Sequence, residues 1–153
     1  MATDLGFYHC TRAPAAEIAI RLAEKALGAG QRLLIVADPE MLAGLDAALW
    51  TKEAASFLPH GLAGTPHDPD QPILLSDRLL APAPNGARLL MLVGQPLPPE
   101  AEAFDRVFLL FEDGTDAHAR ARADWRAAAH RATLDRSYWQ QTESGGWARK
   151  GGT

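Results

Sequence analysis

Arg122, Trp125 and Arg126 stand three and four residues apart in GTDAHARARADWRAAAHRATLDRSYW, residues 114–139. On a helix those offsets make neighbours. A flat indole bordered by two guanidiniums suits a carboxylate attached to an apolar group. The guanidiniums would hold the carboxylate through charge-assisted hydrogen bonds, and the indole would cover the apolar part. His118 lies one turn earlier on the same border. The competing reading is structural: Trp125 belongs to the core, while Arg122 and Arg126 form a solvated face neutralised by Asp124 and other acids. Spacing alone leaves both open.

A second stretch, LDAALWTKEAASFLPHGLAG (45–64), places Trp50 at the end of a helix and Phe57, Pro59 and His60 beyond a polar segment. Two large aromatics here either pack onto a sheet edge or wait for a partner. That choice also stays open on spacing.

Catalytic chemistry is harder to find. The turn HCTRAPAAE after the first apolar run has no glycine, so its backbone could not cradle a phosphate. Neither G-x-x-x-x-G-K-[ST] nor G-x-G-x-x-G occurs. GAG at 28–30 ends a helical pattern, the wrong end of the dipole for an anion. The five histidines form no H-x-x-x-H or H-E-x-x-H, and one cysteine builds no zinc framework. His67, Asp68 and Asp70 share a Pro-rich turn that reads as solvated, and Cys10 ends an apolar run as a small core residue. No G-x-S-x-G elbow is present. The expectation is no catalytic residue, no metal and no cofactor.

The elements that must position these residues alternate along the chain. Short apolar runs predict strands at Leu5–Cys10, Arg32–Val36, Ile73–Leu75, Arg88–Val93 and Arg106–Phe111. Helical periodicity covers Ala15–Ala29 and Pro39–Leu49, the latter with Asp38 as N-cap and Pro39 in the first turn. A short helix is predicted from Pro99 to Phe104 and a long one from Thr115 to Asp135. In the long helix Ala117, Ala121, Ala128 and Ala132 give a smooth face that can lie close against a sheet.

This alternation implies parallel pairing with helices on both sides. The predicted fold is a three-layer α/β/α, Rossmann-like domain with a mostly parallel central sheet and no functional phosphate loop. It spans residues 1–144, with 145–153 as a partly flexible tail carrying four glycines. Thr65–Gln71 and Leu80–Gly86 read as surface loops.

With 153 residues and a net charge of -4, the chain suits one domain and disfavours a protein that coats duplex DNA through its whole surface. The lone cysteine, the absence of a signal-peptide pattern and the lack of an 18-residue apolar run read as a cytoplasmic protein without membrane contact.

LDAALW (45–50), SFLPHGLAG (56–64), QPILLS (71–76), ARADWRAAAHR (121–131), FYH (7–9) and YWQQTESGGWARK (138–150) resemble the chi subunit of bacterial DNA polymerase III holoenzyme. The resemblance covers essentially the whole chain. It implies a Rossmann-like fold without a working nucleotide site and a non-catalytic adaptor of the replisome. One surface of such proteins holds the acidic, Phe-ended C-terminal tail of the single-stranded DNA-binding protein. Another pairs with the psi subunit, or an equivalent clamp-loader component. Single-stranded DNA is then reached only indirectly.

Carried over by position, the tail site would comprise His118, Arg122, Trp125 and Arg126, and the psi surface Trp50, Phe57, Pro59 and His60. The family commonly has Tyr at the aromatic position and Lys after it, so Trp125 and Arg126 keep the chemical types. The alternatives are a degenerate nucleotide-binding enzyme with residual hydrolase or transferase activity, and direct single-stranded DNA binding by exposed aromatics and arginines.

Overall fold

A computed structural model describes residues 2–51 and 59–152. Strand β1 (Thr3–Cys10) leads into helix α1 (Ala15–Gly28), then strand β2 (Leu33–Val36) and helix α2 (Pro39–Thr51). Strands β3 (His60–Leu62), β4 (Ile73–Ser76), β5 (Leu89–Val93) and β6 (Arg106–Glu112) follow. Helix α3 (Asp116–Ala128) and strands β7 (Leu134–Gln141) and β8 (Trp147–Gly152) complete the order. The eight strands form one sheet in the order β3-β4-β2-β5-β6-β1-β7-β8. Every pairing is parallel except β7 with β8.

The three layers follow from the residues. Strands β2, β4 and β5 are apolar at nearly every position and buried throughout, as a sheet covered on both faces requires. On one face α1 brings Ile18, Ala19 and Ala23, and α2 brings Leu42, Leu45 and Leu49, against Leu33, Ile35, Ile73 and Met91. On the other, Ala121 and Ala128 of α3 lie over Leu5, Phe7, Val107 and Leu109. Small side chains on α3 let it sit close to the strands. Among the described residues no helix is long and apolar enough to cross a membrane.

The structure corrects two expectations. Helix α3 stops at Ala128, short of the predicted Asp135, so Ala132 lies exposed beyond its end. Two side chains grip the chain there: Arg131 donates to Glu102 Oε1 at 2.9 Å and to the Pro99 carbonyl at 3.0 Å, and Thr133 Oγ1 donates to Glu102 Oε1 at 2.9 Å. The segment beyond becomes β7, alternating Leu134, Arg136 and Tyr138 with Asp135, Ser137 and Trp139, and pairs along β1 from Thr3↔Leu134 to His9↔Gln140.

The glycine-rich end, expected as a partly flexible tail, carries strand β8. A turn with Gly145 at φ 90, a region that favours glycine, folds it back antiparallel onto β7. Strand β3 was not foreseen either, being only three residues long on the sheet edge.

Candidate functional site

In an open α/β sheet, ligands favour the carboxyl ends of the strands, with phosphates at the following helix N-terminus. At the β1–α1 turn that position is filled from within. The backbone N–H groups of Arg12 and Ala13 donate to Gln141 Oε1 at 2.9 and 3.0 Å, and Ala15 N–H donates to Glu112 Oε2 at 2.8 Å. A carboxylate therefore occupies the place a phosphate would take, and like charge repels a second anion. This geometry disfavours nucleotide binding more strongly than the missing glycines do.

The candidate site lies on the opposite face, where α3 crosses β1 and β7. Thr115 caps α3 by accepting the His118 N–H, and the helix carries His118, Arg122, Trp125 and Arg126 along one border. Arg122 and Arg126 are exposed and form no salt bridge or side-chain hydrogen bond with any described residue. Asp124 does not neutralise them: its Oδ2 accepts the backbone N–H of Leu97 at 2.9 Å.

Trp125 is half-buried and held in place. Phe7 meets it edge-on at 5.3 Å and Tyr138 at 5.5 Å between ring centroids. The Arg136 guanidinium lies 3.9 Å over its ring while Nη1 donates to the Trp125 carbonyl. Gly151 of β8 lets the backbone approach, since a Cβ there would stand 3.2 Å from Trp125 Cζ2. Trp125 thus has roots in the core and an edge at the surface, between two exposed cations.

His118 sits beneath this border. It is buried, and its Nδ1 accepts the Gly114 N–H at 3.1 Å. Burial, then the nearby His9 and Arg122, push its pKa below the ordinary histidine value against the opposing pull of Asp113, so the ring is neutral near pH 7. His9 Nε2 lies 2.7 Å from Asp113 Oδ1 and its Nδ1 3.4 Å from Tyr138 Oη. Burial raises the Tyr138 hydroxyl pKa, with Arg122 opposing. Tyr138 and Arg136 are the participants that sequence reading missed. Both come from β7, for which no strand was predicted beyond the helix expected to end at Asp135.

The second set of residues is placed at the sheet edge. Trp50, at the end of α2, is 60% exposed and stands edge-on over His60 at 5.2 Å. The His60 side chain is fully enclosed and bonded to Asp46 Oδ1 at 2.9 Å, so it props the indole rather than facing outward. Pro59 is exposed beside it. Phe57 lies outside the described residues.

Leu62, 47% exposed on edge strand β3, was not anticipated. It borders a cleft of about 570 Å³ shared with Pro39, Leu42, Ser76 and Arg78. In the 65–71 turn Asp68 is committed locally, accepting the Gly64 and Thr65 N–H groups at 2.9 and 3.1 Å.

Comparison with curated proteins gives no match. A family model described as DNA polymerase III chi subunit, HolC, matches residues 2–143 of the 153. The chain therefore belongs to the DNA polymerase III chi subunit family.

Proposed function

We propose that this chi-family subunit, an accessory component of the bacterial replisome, acts without catalysis as an adaptor between the clamp loader and single-stranded DNA-binding protein. Its α3 border captures the acidic C-terminal tail of that protein. Arg122 and Arg126 pair with the tail's carboxylates, and Trp125 covers the terminal Phe ring. His118, buried and bonded to Gly114, lies behind this border and does not pair with the tail directly. The observation that carries this reading is the pair of exposed guanidiniums, without acidic partners among the described residues, flanking a half-buried, rigidly held indole.

The psi subunit or an equivalent clamp-loader component takes the opposite surface, at Trp50, Pro59 and Phe57, with His60 as a prop and Leu62 as an added apolar contact. Single-stranded DNA is held only through the coating protein. Many tails along one coated strand make even a micromolar site useful by effective concentration.

The test is titration of a labelled acidic peptide ending in Phe against the same peptide lacking that residue. Binding of the first alone is expected, weakening as salt rises. Equal binding of the two, or none of either, defeats the assignment.

A further inference from the structure

We propose that His9, Asp113 and His118 form a binding site for one first-row transition-metal ion of the zinc class. Their ligand atoms all lie within 4.8 Å of one another. His9 Nε2 is 2.7 Å from Asp113 Oδ1, and His118 Nδ1 is 3.7 Å from the same oxygen. Both imidazoles are buried, while the Asp113 side chain is 61% exposed, so the group is walled on the protein side and open on the carboxylate side.

The fold supplies the preorganisation. His9 stands near the end of β1, paired with Phe111 of β6, which places Asp113 just past the neighbouring strand. The Phe111 ring stacks against both imidazoles, at 5.1 Å from His9 and 5.4 Å from His118. The two imidazole centroids are 4.3 Å apart. Neither ring has to travel far to share an ion.

The protonation pattern suits a metal. His118 Nδ1 accepts the Gly114 N–H, so it is the unprotonated nitrogen of the ring, and an ion would take over that lone pair from the hydrogen bond. Gly114, which donates that N–H, is exposed, and its N–H can turn to water. On His9 the ion replaces the proton between Nε2 and Asp113. That proton moves to Nδ1, where Tyr138 Oη at 3.4 Å accepts it as the outer partner of a metal-bound histidine.

Two imidazole nitrogens and one carboxylate oxygen favour Zn²⁺, Co²⁺ or Ni²⁺ over Mg²⁺ or Ca²⁺, which prefer oxygen sets. Three protein ligands leave room for water on the exposed side. This inference does not depend on tail capture, because its test uses the metal alone.

The full-length, tag-free chain is titrated with CoCl₂ and followed by visible d–d absorption, then competed with ZnCl₂ and MgCl₂. Saturation at one equivalent is expected, with displacement by Zn²⁺ and not by Mg²⁺. Asp113→Asn and His118→Gln should each weaken Co²⁺ binding by at least about tenfold. Asp113 is a surface residue, so its variant keeps the fold, checked by a thermal melt. No saturable absorption in the wild type, or wild-type affinity retained in either variant, overturns the site and assigns any residual binding to the other histidines.

Discussion

The α3–β7 corner and the α2–β3 edge each present a tryptophan, and they present it in opposite ways. Trp125 is rooted between Phe7, Tyr138 and Arg136, leaving only part of its ring to solvent. Trp50 projects, 60% exposed, with His60 beneath it. The corner also carries two cations without acidic partners among the described residues, whereas the edge exposes the large apolar side chains of Trp50 and Leu62. A rigid, charged corner suits a short peptide that must be recognised by its carboxylate at little entropic cost. A projecting indole with an exposed Leu62 nearby suits a larger folded partner that can enclose it, where buried Trp residues dominate binding energy.

The sharpest way to break this contrast is at the roots. Phe7 is fully buried under Trp125, so Phe7→Ala should cost about 3–5 kcal/mol of folding stability. Trp50→Ala, at an exposed position, should stay within about 0.5 kcal/mol. Denaturant unfolding of the two variants measures both. Similar losses would mean that the two tryptophans are not held differently.

A smaller effect is expected at Arg136, whose guanidinium covers Trp125 and bonds its carbonyl. Arg136→Met keeps much of the stem but removes the cation over the ring and the hydrogen bond, together worth about 1–3 kcal/mol. Tail-peptide affinity should fall with it, since the indole is no longer pinned. Unchanged affinity would show that Trp125 needs no such support.

The smallest effect concerns acid. Hydrogen bonds from Arg131, and then Thr133, hold the Glu102 carboxyl below its usual pKa at the end of α3. Arg88 does the same for Asp105, and the Gly64 and Thr65 N–H groups for Asp68. A depressed folded pKa contributes stability that is fully present above the unfolded value, about 4, and is lost as pH falls through the folded one. Melting temperature should therefore hold from neutral pH to about 5 and drop below about 4. In Glu102→Gln the drop should be shallower. An identical acid profile would remove Glu102 from the anchoring of this corner.

How much of this was legible depended on what each residue had to say locally. Continuous apolar runs such as LLIV and LLMLV announce doubly buried strands, and α2 announces itself through Asp38, whose Oδ1 accepts the Met41 N–H at 2.9 Å. The i, i+3, i+4 spacing was enough to put Arg122, Trp125 and Arg126 on one border.

The end of α3 was hidden because AAAHRA contains no breaker. What stops the helix is a distant carboxylate, Glu102, that no local pattern reveals. Strand β7 was hidden because its alternation includes charged and half-buried residues, and with it went Tyr138 and Arg136. The His9–Asp113 contact joins residues 104 apart in sequence, which only the β1–β6 register brings together. Trp125 itself showed that core and site were never exclusive readings: it packs inward and borders the surface at once.

Tail capture at the corner, separate from the apolar edge, is tested most directly by titrating one Phe-ended acidic peptide against Arg122→Ala and Trp50→Ala side by side. Loss of a hydrogen bond to a charged group predicts a weakening of about 1.5–3 kcal/mol in Arg122→Ala with its melting temperature nearly unchanged. Trp50→Ala should bind as the wild type does. Equal losses in both variants, or a loss confined to Trp50→Ala, would contradict the assignment of the tail to the α3 border.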